Sequence, residues 1–255
     1  MSDRRKDVLL AGGFTSVTHS HPTSALDPST NKLPTPLNVL VIGASRGIGA
    51  GIAQAFAQAG AARLVLAARA SSSEELASVA EKAKQLNPSV PITCLPVDIT
   101  SSTSVAQLAQ DIKEKIGRLD ILILNSGYSG PVVLKIDSGD PQDFKDVFDV
   151  NVQGTYLVAH HFIPLLKESN GAKTFIAVNS LAALITSGHI ANTAYCVSKL
   201  AQARLIEYVA EQYKQEGVLA IALHPGAVMT EMAAHTAPES MMPCKLVEVG
   251  FVIFR

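Results

Sequence analysis

The stretch Val39-Leu40-Val41-Ile42-Gly43-Ala44-Ser45-Arg46-Gly47-Ile48-Gly49 constrains this chain more than any other. An apolar, largely β-branched run enters a glycine-punctuated turn, and Ile52, Ala53, Phe56 and Ala57 then recur at helical spacing. The pattern predicts strand, tight turn and helix, the opening unit of a parallel α/β sheet. Glycine at 43 and 47 lets the backbone turn sharply and come close to a ligand. Gly49 lets the new helix pack tightly on the sheet. The start of that helix offers unpaired N–H groups and a positive dipole end, which suit a phosphate. The spacing is G-x-x-x-G-x-G, not the G-x-G-x-x-G of most dinucleotide folds.

The chain then repeats the unit. Gly60 ends the first helix, and Arg63 to Ala68 is a second buried strand. Ser71 and Glu74 form a capping box for a helix running to about Asn87, closed by Pro88. Ile92 to Val97 is a third strand ending at Asp98, placed to hydrogen-bond an adenine. Ser101 to Ile116 is a helix stopped by Gly117. Leu119 to Leu124 is a fourth strand, with Asn125-Ser126-Gly127 at its exit. This alternation predicts an α/β fold, a doubly wound parallel (Rossmann-like) sheet with right-handed crossovers. A ligand then belongs at the carboxyl ends of the strands, where Gly43, Arg69, Asp98 and Asn125 lie.

The cofactor is legible at the end of the second strand. An Asp or Glu there would accept hydrogen bonds from the adenosine ribose of NAD. Ala68 and then Arg69 stand there instead, and Arg46 lies inside the glycine loop. Guanidinium groups suit a 2′-phosphate, so the pair points to NADP over NAD.

At 255 residues, 47% of them apolar, the chain fits one large α/β domain, set at 38–255. Lys and Arg number 21 against 22 Asp and Glu, which favours neither nucleic acid nor an anionic membrane as partner. Apolar runs fall short of a membrane span. Three scattered cysteines fit a reducing compartment, and a cytoplasmic location is expected. Residues 1 to 37 read as an extended or partly disordered arm rich in Pro, Ser and Thr. His19 and His21 within it are read as polar linker residues, and no metal is expected.

In the second half, Asp140-Pro141 with Asp143 opens a helix that runs to about Lys167. Asn151 falls on its apolar face and needs partners. Lys173 to Val178 is a fifth strand with Asn179-Ser180 at its exit. Ala191 to about Glu216 is helical, and Gly217 to Leu223 is a sixth strand leading into His224-Pro225-Gly226-Ala227-Val228-Met229-Thr230. Tyr195 and Lys199 stand four apart on one helix face. A cation beside a phenol favours the phenolate, which makes tyrosine usable as a proton donor near neutral pH.

Taken in order, Gly43-x-x-x-Gly47-x-Gly49, Asp98, Asn125-Ser126-Gly127, Asn151, Ser180, Tyr195-x-x-x-Lys199 and Pro225-Gly226-x-Val228-x-Thr230 resemble the short-chain dehydrogenase/reductase family, main branch, over about 38 to 230. The arm is similar to that of filamentous-fungal members. The resemblance implies strand order 3-2-1-4-5-6 and hydride transfer between nicotinamide C4 and a carbonyl or secondary alcohol. It implies Tyr195 as general acid/base, and Lys199 holding the nicotinamide ribose and depressing the tyrosine pKa. Ser180 then orients the substrate oxygen, and Asn151 supports a water that relays protons. Gly43, Ser45, Arg46, Gly47, Ile48 and Gly49 line the pyrophosphate and adenosine side. Val228 and Thr230 meet the nicotinamide carboxamide, and Pro225 and Gly226 complete the cofactor-binding set.

The chain departs from that pattern in places. Ile42 replaces the usual Thr, Leu124 sits where an Asn is common, and the Leu181 to Thr193 loop is enlarged, with His189 facing a substrate pocket or solvent. Only Glu231 to Arg255 comes after the Pro-Gly motif, so a shortened end is expected. Leu246 to Phe254 then starts a last helix, and the seventh strand is missing. The two long helices would pair across a homodimer axis, with Val152, Tyr156, Ala159, Leu205, Tyr208 and Val209 as contacts. The expected function is an NADP-dependent oxidoreductase acting on a small hydrophobic ketone or alcohol. The alternative is a silent dinucleotide-binding scaffold or sensor.

Overall fold

The computed structural model of the chain describes residue 24 and residues 26–188, 192–226, 228, 230–236 and 252–254. His19, His21, His189, Ala227 and Met229 lie outside these residues. Strand β1 (Asn38–Ile42), helix α1 (Gly47–Gln58), β2 (Arg63–Ala68), α2 (Ser73–Leu86), β3 (Ile92–Pro96), α3 (Ser102–Lys115) and β4 (Ile121–Leu124) form the first half. Helices α4 (Pro141–Phe148) and α5 (Gly154–Glu168), β5 (Thr174–Val178), α6 (Thr193–Gln212), β6 (Leu219–His224), α7 (Glu231–Thr236) and β7 (Val252–Phe254) form the second.

The sheet runs β3-β2-β1-β4-β5-β6-β7, parallel through β6. The order of the six parallel strands is the expected one. Its central strands read as unbroken apolar runs because both faces are covered. Along β1, Leu40 and Ile42 join a core with Val65, Leu122, Phe162 and Phe175 under α3, α5 and α6. Val39 and Val41 point the other way, to Leu64, Leu66, Ala53 and Ala57 under α1 and α2. All of these side chains are buried to within about a hundredth of their surface.

The far edge corrects an expectation. Val252–Phe254 is a strand, not the start of a helix, and pairs antiparallel with Ala222, Leu223 and His224. The outer edge of β6 presents unpaired N–H and C=O groups, and a Val-Ile-Phe run has the propensity to meet them.

Two helices also differ from expectation. Ala70–Ser72 is a 3₁₀ turn, so α2 begins at Ser73, and its cap, Ser72, makes no side-chain capping bond. The Ser71 box is therefore not formed, although Glu74 and Glu75 still face the positive helix end. The long helix expected from Asp140 is interrupted by a π-helical turn at Asp149–Gln153 between α4 and α5. Asp140 caps α4 as expected, accepting from Gln142 N at 2.8 Å. Of the expected dimer contacts, Ala159 and Val209 belong to the core. Tyr156 and Tyr208 are exposed.

The arm's described end lies along α1. Leu33 N donates to Ala59 O at 3.0 Å and Lys32 Nζ to Gln58 O at 2.6 Å. At the amino ends of the strands, the buried Asp120 accepts from Asn38 N at 2.7 Å, from Arg118 Nε and from Ser169 Oγ. This carboxylate ties β1, β4 and the α5–β5 turn at the pole opposite the predicted chemistry.

Candidate active site

The glycine loop is built for close approach. Gly43 has φ +85°, and a Cβ there would lie 2.6 Å from Ser126 N. A Cβ on Gly49 would lie 2.1 Å from Gly43 O. Asn125 donates its side-chain N–H to Gly43 O at 2.8 Å, so this predicted cofactor residue acts as a strut between the loop and the β4 exit. Ser45 and Ile48 are half-buried on the loop and the first turn of α1. The cap residue of α1, Arg46, makes no side-chain capping bond, and the first turn holds no acid. The helix therefore keeps its N–H groups and positive end for an outside anion.

Arg69 is exposed at the carboxyl end of β2. Arg46 is exposed too, and its guanidinium pairs with Glu231 of α7 at 3.2 Å. One oxygen of Asp98 accepts from Thr100 N at 2.9 Å and Thr100 Oγ1 at 2.7 Å, a local turn that fixes the β3 exit. Pro225 and Gly226, with φ +81°, turn the chain after β6. Thr230 caps α7, accepting from Ala233 N at 3.1 Å, and its methyl would lie 3.2 Å from a Cβ on Gly47. Val228, half-buried, lies between these turns. These groups fit a nucleotide diphosphate: a cradle that side chains would fill, an uncapped helix start and two exposed guanidiniums.

Asn151 is fully buried in the π-helical turn. Its carboxamide clamps the backbone of Tyr128, accepting from N at 2.9 Å and donating to O at 2.7 Å. It also donates to Ser198 Oγ at 2.9 Å. Gly127 sits beside it, where a Cβ would lie 3.4 Å from Asn151 Oδ1 and 3.6 Å from Lys199 Nζ. At the β5 exit, Ser180 Oγ accepts from Ala182 N at 3.1 Å and hydrogen-bonds the Tyr195 side chain.

Lys199 is only 3% exposed. It donates to Val178 O at 3.0 Å and to Gln202 Oε1 at 2.9 Å. No carboxylate is paired with it among the described residues, and burial brings its pKa down to about 7. Its Nζ is 5.7 Å from the Tyr195 ring centroid. The expected depression of the tyrosine is not found. Burial pushes the Tyr195 phenol up, and the Ser180 hydrogen bond opposes that. The ammonium is turned to a carbonyl and an amide instead of the phenol.

Sequence reasoning missed three residues of this cluster. Gln202 is fully buried and donates to Thr155 Oγ1 at 2.8 Å, which donates to Asn151 O at 2.8 Å. Asn179 donates to Gln202 Oε1 at 3.1 Å and to Lys199 O at 2.9 Å, and accepts from Ser180 N at 2.7 Å. A signal was present for Gln202: it stands three after Lys199 and seven after Tyr195, on the same helix stripe.

Between the start of α6 and the start of α4 lies a mostly apolar cavity of about 290 Å³. Pro131, Val133, Ile136, Phe144 and Val147 line it with Asn192, Thr193 and Ala194. Asn192 donates to Ser129 O at 2.7 Å and Pro131 O at 2.9 Å, which fastens the loop after β4 to the start of α6.

The fold is that of a doubly wound nucleotide-binding sheet, and the sequence comparison gives the family. Residues 37–240 match the short chain dehydrogenase family, and the chain belongs to it. The protein is therefore an oxidoreductase of a family that uses NAD(P). It is 40% identical over 198 residues to the short chain dehydrogenase mpl6 of Monascus purpureus, across 77% of this chain and 66% of that protein. It is 33% identical over 204 residues to an NADPH-dependent pterin aldehyde reductase of Arabidopsis thaliana, across 80% of each. The Pseudomonas aeruginosa RhlG/NADP active-site complex superposes with a TM-score of 0.72 at 28% identity, covering 82% of this chain and 78% of that one. Among the described residues no helix is long and apolar enough to cross a membrane.

Proposed function

We propose that this chain is an NADP-dependent reductase of apolar carbonyl compounds, reversible toward the secondary alcohol, with Tyr195 as general acid/base. The observation that carries the reading is the convergence of Ser180, Tyr195, Lys199 and Asn151 around the exits of β4 and β5. NADP is favoured by Arg46 and Arg69 and by the NADP and NADPH in the relatives' names. The apolar cavity next to the start of α6 favours an apolar substrate.

When bound, the nicotinamide supplies or accepts the hydride. The raised Tyr195 pKa keeps the phenol protonated at neutral pH, ready to donate to the carbonyl oxygen as its carbon is reduced. Ser180 steers that oxygen through its hydroxyl, which Ala182 N orients and which hydrogen-bonds the Tyr195 side chain. Lys199 spends two donors on Val178 O and Gln202, leaving a third for a ribose hydroxyl. Arg46, Arg69 and the first turn of α1 would hold the phosphates.

The test is NADPH oxidation by the full chain against a panel of apolar ketones and quinones. Tyr195→Phe should cut kcat by about 10²–10⁴-fold, with NADPH affinity nearly unchanged in direct titration. NADPH binding with no turnover on any carbonyl would turn the reading to the scaffold or sensor. Retained turnover in Tyr195→Phe would remove the assigned acid.

A further inference from the structure

The ammonium of Lys199 is buried with one backbone carbonyl and one neutral side chain as its acceptors, and that side chain is Gln202. Its orientation is settled by its neighbours. Oε1 receives two groups that can only donate, Lys199 Nζ at 2.9 Å and Asn179 Nδ2 at 3.1 Å. Nε2 faces Thr155 Oγ1, whose proton is already committed to Asn151 O and which can therefore accept. Turning the amide over would set an N–H₂ against an ammonium. Through Asn179, the same oxygen is linked to the backbone of Ser180; through Thr155, the amide is linked to that of Asn151. One fully buried carboxamide thus joins the turn holding Asn151, the exit of β5 and the helix carrying Tyr195 and Lys199.

We infer that Gln202 is the positioning residue of this site: its amide fixes where the Lys199 ammonium sits and, being uncharged, leaves that ammonium free to give up its proton. The inference rests on Lys199 being part of the proton-handling group proposed above. A carboxylate at this place would hold the amine as a permanent cation, and an apolar side chain would leave a buried donor short of an acceptor. The groups facing Nζ are Tyr195 from its own helix, Gly127 from the β4 exit, Val178 from β5, and Gln202. Of these only Tyr195 titrates, so Gln202 is the one acceptor whose charge a substitution can set. A value of about 7 for Lys199 agrees with a buried amine that has no counter-ion among the described residues.

The experiment tracks the Lys199 amine directly, by pH titration of its side-chain NMR signals in the full chain. The signals are assigned by their loss in Lys199→Arg. Gln202→Glu should raise the Lys199 titration by about one to three pH units. An unchanged titration in a folded Gln202→Glu protein would overturn the inference. Should Gln202→Glu fail to fold, Thr155→Val gives the answer. It removes the acceptor of Gln202 Nε2 without touching Lys199, and should move the Lys199 titration by roughly half a pH unit. No movement there would overturn the inference as well. Because the readout is the amine and not turnover, a wild-type chain inactive on carbonyls would remove the proposed reaction while leaving the Gln202–Lys199 result to stand or fall by itself.

Discussion

Lys199 is the residue at which stability and chemistry oppose each other. Burial lowers its pKa from the ordinary 10.5 to about 7, because the folded chain disfavours the charged form. Below pH 7 both folded and unfolded chains hold the proton, and the full cost of the buried charge is present. Between pH 7 and 10.5 the unfolded chain holds more proton than the folded one, so stability rises with pH across that window. Lys199→Met should flatten this rise, read as urea midpoints compared at about pH 7 and about pH 9.5. A slope as steep as in the parent chain would show that the amine titrates normally. The same geometry explains why the phenol is not made acidic from its neighbour: an ammonium shared between Val178 O and Gln202 spends its field away from the hydroxyl.

Elements set the site more finely than the residue pattern shows. The π-helical turn at Asp149–Gln153 sets Asn151 where it meets Tyr128 and Ser198, and without it the helix from Pro141 would continue in register. The α1 start depends on one missing methyl. Gly49→Ala would set a Cβ 2.1 Å from a carbonyl oxygen, which the loop cannot yield without opening. It should cost about 2–4 kcal/mol in stability and abolish NADPH binding, measured by urea unfolding and by titration. Wild-type-like affinity would mean that the glycine loop is not the nucleotide cradle. Glycines with a steric reason, strands apolar on both faces and the Tyr195–Lys199 spacing all leave marks in one dimension, and these made the fold and half the site legible. Asn179 and Thr155 leave none, and Gln202 leaves only its place on the Tyr195–Lys199 stripe, since a buried polar residue has the same letter as one in water. The π turn is likewise silent, because periodicity cannot tell one inserted residue from a slight drift of the stripe. The segment Val252–Phe254 is ambiguous by itself, and the open edge of β6 decides it.

Across the whole molecule the two poles of the sheet divide the work. Asp120 fastens the amino ends of the strands, while Gly43, Arg69, Asp98, Asn125 and Ser180 follow their carboxyl ends. The cleft at that end is bridged from both sides by Arg46 and Glu231, each about three-fifths exposed. Their contact gives the chain an internal rival for its own ligand. A carboxylate on α7 occupies the guanidinium, and on the NADP reading proposed above an incoming 2′-phosphate has to displace it. NADPH and NADH are then separated by less than two free arginines would allow. Added salt, which weakens the phosphate's hold, loosens the rival as well, so affinity should fall only gently with ionic strength. Glu231→Gln removes the rival: NADPH should bind roughly two- to fivefold tighter, NADH unchanged, with a steeper salt dependence in isothermal titrations. Equal tightening of both nucleotides would place the effect on the seating of α7 and not on the phosphate. On that reading the acid opposite the glycine loop is a built-in buffer on cofactor affinity.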